Sequence, residues 1–146
     1  MDFTSAIKSG LSNYFKFSGR ASRSEYWYFY LFYVIVYVAA GFIDGFLGIY
    51  LIQPTELSAG TGLLAGLAPL GLFIPILALT WRRLHDLDKS GALFFIGFTC
   101  IGLIPLLIWH VTKGTDGPNR FGPDPLGSGE ALPDPPAPGD GPSLEA

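Results

Sequence analysis

Three long stretches of this chain contain almost no charge, and this feature limits its possible folds more than any other. Residues 26–52 carry only Asp44, and residues 62–81 and 91–111 contain no Asp, Glu, Lys or Arg. A helix of about 20 residues, rising about 1.5 Å per residue, crosses the roughly 30 Å hydrocarbon core of a bilayer. Charged residues make up 14% of the chain, too few to cover a water-soluble domain. The sequence therefore predicts an all-α integral membrane protein.

We expect about three transmembrane helices, at residues 26–48, 62–81 and 91–111. Asp44 should reach the headgroup region at the end of the first helix. The third stretch is interrupted by Gly102 and Pro105, and it is either a single span or a re-entrant hairpin that returns to the side it came from. A hairpin would expose unpaired backbone groups to lipid unless protein covered them, so the single span is favoured.

The segments that flank these stretches are more polar. Residues 1–25 place Phe3 and Ile7 at helical spacing and end in a basic segment, which predicts an amphipathic helix on the membrane surface; a partly ordered tail is the alternative. We expect residues 112–126 to be an ordered segment. Residues 127–146 contain five prolines, four glycines, four acids and no base, which predicts a disordered acidic tail.

The positions of the basic residues indicate an orientation. Seven lie before the first span or in the turn after the second, and two follow the third stretch. The seven are Lys8, Lys16, Arg20, Arg23, Arg82, Arg83 and Lys89, and the two are Lys113 and Arg120. The positive-inside rule then places the N-terminus and the second turn in the cytoplasm. Trp27, Trp81 and Trp109 fall at the ends of the three stretches, where indole rings settle among lipid headgroups.

Three motifs follow one another in the chain: GRASRSEYW at residues 19–27, RRLHDLDKSG at 82–91 and GPNRFGPDP at 117–125. In this order, with apolar stretches between them, they resemble the bacterial inner-membrane family called domain of unknown function 805. The resemblance covers residues 10–126 and departs from the family's frequent Thr-Gly pair at Leu87 and Asp88. It implies a multi-pass protein of the bacterial inner membrane, and it supplies no reaction, cofactor or established role for Asn119, Arg120 or Asp124.

Charged residues of the first two motifs should form one cluster on the cytoplasmic face. They are Arg20, Arg23, Glu25, Arg82, Arg83, His85 and Asp86. Guanidinium groups match the geometry of phosphates and carboxylates, so the cluster could recognise a lipid headgroup or an acidic partner. The alternative is that it anchors the topology and pairs internally, for example Arg83 with Glu25 or Asp86.

The same residues give little reason to expect an enzyme. His85 and Asp86 could form a general base with its orienting acid, but no nucleophile or further catalytic motif accompanies them. A metal site needs three or four ligands, and the other histidine, His110, lies at the far end of the predicted third span. We therefore expect no catalytic residues, no metal and no cofactor.

Two glycine pairs spaced four residues apart, Gly41 with Gly45 and Gly62 with Gly66, should let the first two spans approach closely. For function, the sequence favours a non-catalytic subunit that binds another integral membrane protein or its own copies, with membrane lipids around it. A lipid-binding or small-solute transport component is the alternative, and a membrane enzyme is the third possibility. Nothing in the sequence indicates nucleic-acid binding.

Overall fold

The computed structural model describes residues 1–55, 58 and 60–127, and it is mostly helical. In chain order the elements are α1 (Phe3–Ser12), α2 (Arg23–Leu47), β1 (Tyr50–Ile52), β2 (Thr61–Gly62), α3 (Leu63–His85), a 3₁₀ helix (Gly91–Phe98) and α4 (Leu103–Val111). The tail predicted for residues 127–146 lies outside the described residues from position 128 onward.

The two long helices, α2 and α3, are apolar and long enough to cross a membrane. At about 1.5 Å per residue, their 25 and 23 residues span roughly 35 Å. The Ser22 hydroxyl caps α2 by accepting from the Glu25 amide, and Gly48 ends it with φ 65°. The two helices pack around buried Phe29 and Leu79. These elements agree with the first two predicted spans to within a few residues.

The link between α2 and α3 contains a small antiparallel sheet, β1 paired with β2, which the all-α prediction missed. Asp44 is only 1% exposed, because other residues of the chain cover it. Its position at the level of the headgroups stays a prediction. Its carboxylate accepts from the amides of Leu64, at 3.1 Å, and Ala65, at 2.8 Å. Asp44 therefore satisfies amide groups that the start of α3 would otherwise leave unpaired.

Residues 3–12 form the predicted helix α1, which packs against α2 and contacts α3. Its buried residues are small: Ala6 and Gly10, not the large apolar residues of the predicted stripe. A Cβ at Gly10 would lie 2.2 Å from the ring of Phe29, so glycine is needed for this approach. The position of α1 at a membrane surface stays a prediction.

The single helix predicted for residues 91–111 is wrong, because the chain turns back between Thr99 and Gly102. Gly91 lies against Trp81 near the end of α3, and the carbonyl of Val111 accepts from Arg23 at the start of α2. The first arm therefore begins, and the second arm ends, at the same end of the helix pair, as in the hairpin alternative. Arms of eight and nine residues each reach roughly 15 Å, about half of a hydrocarbon core.

The objection to a hairpin was unpaired backbone at its tip, and local hydrogen bonds pair two amides there. The amide of Thr99 donates to the carbonyl of Ile96 at 2.9 Å, and the amide of Gly102 donates to the carbonyl of Thr99 at 3.0 Å. The Thr99 hydroxyl also donates to Ile96, at 2.6 Å. A Cβ at Gly102 would lie 1.9 Å from the Ile96 carbonyl oxygen, so the turn requires glycine.

Candidate functional site: a buried charged cluster

The start of α2, the end of α3 and residues 112–127 meet at one end of the helix pair. The amide of Ala21 donates to the carbonyl of Arg82 at 3.0 Å, which ties the segment before α2 to the end of α3. Six charged or titratable side chains converge here, and we call them the charged cluster: Arg20, Glu25, Arg82, Arg83, His85 and Asp86. Each is at most 9% exposed.

Asp86 lies at the centre of the charged cluster, between two arginines. Its Oδ1 accepts from Nε of Arg20 at 2.9 Å, and its Oδ2 accepts from Nη1 of Arg83 at 2.5 Å. All three side chains are almost fully buried. Two guanidinium groups share one carboxylate. The negative charge of Asp86 therefore lowers the free-energy cost of burying Arg20 and Arg83.

Backbone carbonyl groups take up the remaining donors of these two arginines. Arg20 donates to the carbonyls of Thr115 and Gly117, at 2.6 Å each. Arg83 donates to the carbonyls of His110, at 3.4 Å, and Thr112. Buried polar groups are stable only when they are hydrogen-bonded, so these contacts fasten the hairpin and the segment after it to α3.

Glu25 and Arg82 form the second buried ion pair, with Nη1 of Arg82 at 3.1 Å from Oε1 of Glu25. The Ser9 hydroxyl donates to the same carboxylate oxygen at 2.8 Å, which connects α1 to the cluster. Nε and Nη2 of Arg82 are buried and have no hydrogen-bond partner among the described residues. The internal pairing that the sequence left as an alternative is therefore present, with Arg82 as the partner of Glu25.

His85 is positioned by Gly19 and Phe121 and not by Asp86. Its Nδ1 lies 3.1 Å from the carbonyl oxygen of Gly19, and its ring stacks on Phe121 at 3.8 Å between centroids. The side-chain amide of Asn119 donates to the His85 carbonyl at 2.9 Å. The general-base arrangement of His85 with Asp86, which the sequence did not favour, is not formed, because the carboxylate accepts from Arg20 and Arg83.

The third motif occupies the same site, which a single third span would have prevented. Arg120 pairs with Asp88 at 3.1 Å in an exposed position. Asp124 accepts from the amides of Leu126, at 2.9 Å, and Gly117, at 3.3 Å, and these bonds, the first above all, lower its pKa. The segment that contains Asn119, Arg120 and Asp124 thus covers the end of α3.

Arg23 differs from the other predicted cluster residues because it is exposed and lies outside the buried network. Its one hydrogen bond among the described residues runs to the carbonyl of Val111, at 3.3 Å. His110 is also placed differently from the expectation, at the cluster end of the molecule. Its carbonyl accepts from Arg83 and from the indole N–H of Trp27. His110 is therefore not remote from the cluster, contrary to the prediction, although the described part of the chain holds no group of three or more metal-ligating side chains.

The glycine pairs do not form the predicted helix contact. A Cβ at Gly41 or Gly45 would meet no atom within 4 Å, whereas one at Gly62 would lie 2.1 Å from the Asp44 carboxylate. Both glycines of α2 instead line an open groove of about 280 Å³ that faces Gly62. The close approach at Gly62 therefore serves the Asp44 cap, and the small-residue face of α2 is left without a partner in the described residues.

Sequence reasoning missed the backbone contribution to this site. A Cβ at Gly114 would lie 2.0 Å from Oδ2 of Asp86, so the chain passes directly over that carboxylate. The amide of Thr115 donates to the Asp86 carbonyl at 2.8 Å. Backbone carbonyl acceptors cannot be recognised from side-chain types in a sequence. Gly114 lies just before the third motif, so the order of the motifs was the one feature that indicated this contact.

Comparisons with known proteins agree with the resemblance that the motifs indicate. The family described as "Protein of unknown function (DUF805)" matches residues 14–123. "Inner membrane protein YhaI" of Escherichia coli (strain K12) is 46% identical over 120 residues, which cover 80% of this chain and 92% of that protein. "Inner membrane protein YhaH" of the same strain is 40% identical over 118 residues, covering 79% and 91%. No solved structure matches.

Proposed function

Because the chain belongs to the DUF805 family, with inner membrane proteins among its relatives, we propose that it is a non-catalytic inner-membrane protein that works as a bound subunit. It associates either with a larger integral membrane complex or with its own copies. The family and the two long apolar helices make the chain a membrane protein. The subunit role is argued from the surface of those helices.

The unpartnered small-residue face of α2 carries the proposal. Gly41 and Gly45 lie on one side of an exposed stretch, with Tyr37 and Val38 lining the same groove. In a bilayer, apolar surface alone gives helices no drive to associate, because lipid tails are equally apolar. Close backbone approach over small residues does favour association. No helix among the described residues packs closely against Gly41 and Gly45. A helix from another protein or another copy fits this face.

The proposed orientation has the N-terminus in the cytoplasm and two full crossings, with residues 91–111 re-entering from the cytoplasmic side. The link from residue 48 to 62 contains no Lys or Arg. Arg120 pairs with Asp88 beyond the end of α3, and Lys113 follows the carbonyl that Arg83 binds. Lys113 and Arg120 therefore lie on the same side as the seven basic residues of the N-terminal segment and the second turn. The proposed cytoplasmic side then carries nine basic residues and the opposite side carries none.

A non-catalytic role is favoured because the two side chains that could act as acid and base, Asp86 and His85, make contacts within the fold. Asp86 is bound by two arginines, and His85 is bound to the Gly19 carbonyl and stacked on Phe121. Solute transport has less support, since the Asp44 carboxylate caps α3 and the rest of α2 after Glu25 carries no charge. Lipid binding has a separate observation in its favour, described in the next subsection.

The test is the particle mass of the full chain in gentle detergent or native nanodiscs, compared with 15.8 kDa for one copy. We expect a larger mass, or a stoichiometric membrane partner recovered at natural expression. Gly41→Leu with Gly45→Leu should release the single chain, because the larger side chains prevent close helix approach. A Cβ at either position meets no atom within 4 Å in the isolated fold. Ala39→Leu is the matched control, since Ala39 lies on the other side of α2. A monodisperse wild-type monomer without a partner contradicts the proposal.

A further inference from the structure

A second groove, of about 490 Å³, lies beside the start of α2 and is not used by the charged cluster. Arg23, Ser24 and Trp27 from α2 form one side of it, and Val111 and Leu126 contribute the other. Its walls combine one cation and hydroxyl groups with aromatic and aliphatic surface. Its volume lies within the range of small-molecule sites.

Arg23 is distinguished from the other arginines by its charge balance. Arg20, Arg82, Arg83 and Arg120 each form an ion pair with an aspartate or glutamate. Among the described residues, Arg23 has no carboxylate within 4.0 Å and gives a single hydrogen bond, to the Val111 carbonyl. Most of its five N–H donors are therefore available to an anion in the groove.

The other residues that line the groove indicate which kind of anion it can bind. The indole N–H of Trp27 already donates to the carbonyl of His110, so Trp27 contributes mainly apolar surface. Val111 and Leu126 are aliphatic and about half exposed. The groove also lies where an apolar helix begins, at the level where tryptophan rings and lipid headgroups meet. A free phosphate ion would gain nothing from these apolar walls, whereas a phospholipid would use both parts.

We propose that this groove binds an anionic phospholipid, with Arg23 contacting the phosphate and Trp27, Val111 and Leu126 contacting the start of the acyl chains. Ser24 supplies a hydroxyl beside the guanidinium. The site does not depend on the subunit proposal, because all of its residues come from one copy. The buried arginines of the charged cluster take no part, since none of them lines the groove.

Native mass spectrometry of the purified full chain tests this, after reconstitution with phosphatidylglycerol or phosphatidylcholine. Wild type should retain phosphatidylglycerol preferentially, and Arg23→Gln should reduce that retention about tenfold, because the phosphate loses a hydrogen bond to a charged donor. Lys16→Gln removes the same charge from an exposed residue outside the groove and should leave retention unchanged. Val111→Phe keeps every charge, narrows the groove and should also reduce retention.

Three outcomes overturn the proposal. Equal retention of the two lipids removes the need for an anionic headgroup. Equal losses from Arg23→Gln and Lys16→Gln, with none from Val111→Phe, indicate general surface charge without a site. Displacement of the lipid by excess inorganic phosphate indicates a free-anion site. An unchanged unfolding temperature for both groove variants shows that a reduced retention is not caused by misfolding, and phosphatidylglycerol bound to a single chain separates this result from the oligomeric state.

Discussion

At the scale of single residues, Asp86 decides whether the cluster end of the protein is stable. Its carboxylate compensates Arg20 and Arg83, both almost fully buried, and Gly114 passes close over it. Asp88, two residues later, makes an exposed pair with Arg120. The two aspartates therefore allow a comparison between a buried and an exposed ion pair in the same turn.

Asp86→Asn should lower the free energy of unfolding by about 3–5 kcal/mol, because it leaves buried guanidinium charge uncompensated. Asp88→Asn should cost about 0–1 kcal/mol, as for other exposed pairs. Asp88 has φ 55°, a conformation that asparagine also tolerates, so this control adds no backbone strain. Thermal unfolding in a mild detergent and the amount of protein in the membrane measure both effects. Similar losses from the two variants would show that Asp86 does not hold the site together.

At the scale of elements, the segment after α4 is the part whose position depends most on polar contacts. Between residues 112 and 127 it has no helix, and its turn is held by the bridge between Asn119 and Gly122 and by the bonds that Asp124 accepts. Bonds from the Leu126 amide, then the Gly117 amide and the charge of Arg20, lower the Asp124 pKa from the usual 3.8. Ionised Asp124 therefore stabilises this segment.

The sign of the pH dependence follows from this shift. Because the folded segment binds the proton of Asp124 less well than the unfolded one, the stabilisation is complete above pH 3.8 and is lost as the pH falls through the lowered folded pKa. We expect the Asp124 carboxyl ¹³C resonance to titrate below 3.8 and the Leu126 amide to lose protection over the same range, measured as its exchange rate relative to the intrinsic rate at each pH. Asp124→Asn should remove the pH dependence of that protection. A titration midpoint at or above 3.8 would contradict the arrangement.

At the scale of the whole molecule, the hairpin of residues 91–111 brings the N-terminal segment, the α3 turn and the third motif to one end of the helix pair. A single third span would place the third motif on the opposite side. The Ser22 side chain is only 3% exposed and would report poorly on sidedness, whereas Ser18, Ser90, Asp116 and Ser58 are exposed. Accessibility of these four positions distinguishes the two topologies.

In a Cys100→Ser background, single cysteines at Ser18, Ser90 and Asp116 should be protected from an impermeant thiol reagent in intact cells. A cysteine at Ser58, in the link between α2 and α3, should react. Permeabilised cells provide the control, since all four positions should then be labelled. Labelling of the cysteine at position 116 in intact cells would restore the single span, and labelling at position 18 with protection at position 58 would reverse the orientation.

The sequence by itself determined the two long helices, because an uncharged stretch of about 20 residues has few alternatives to a membrane helix. It also predicted that the charged residues of the first two motifs lie together, since charge is excluded from the spans between them; the third motif was expected on the other side, and Arg23 lies outside the buried network. The amphipathic spacing located α1, although not the small residues Ala6 and Gly10 that it buries.

Only the tertiary structure decided the path of residues 91–111, because hydropathy does not distinguish a full span from a hairpin of the same composition. The choice depends on how much of the tip's backbone can pair locally, and the amides of Thr99 and Gly102 do so. It also decided the partners within the cluster. Arg20 and Asp86 are 66 positions apart, and their pairing is fixed by the packing of α3 and by carbonyl groups that leave no side-chain signal.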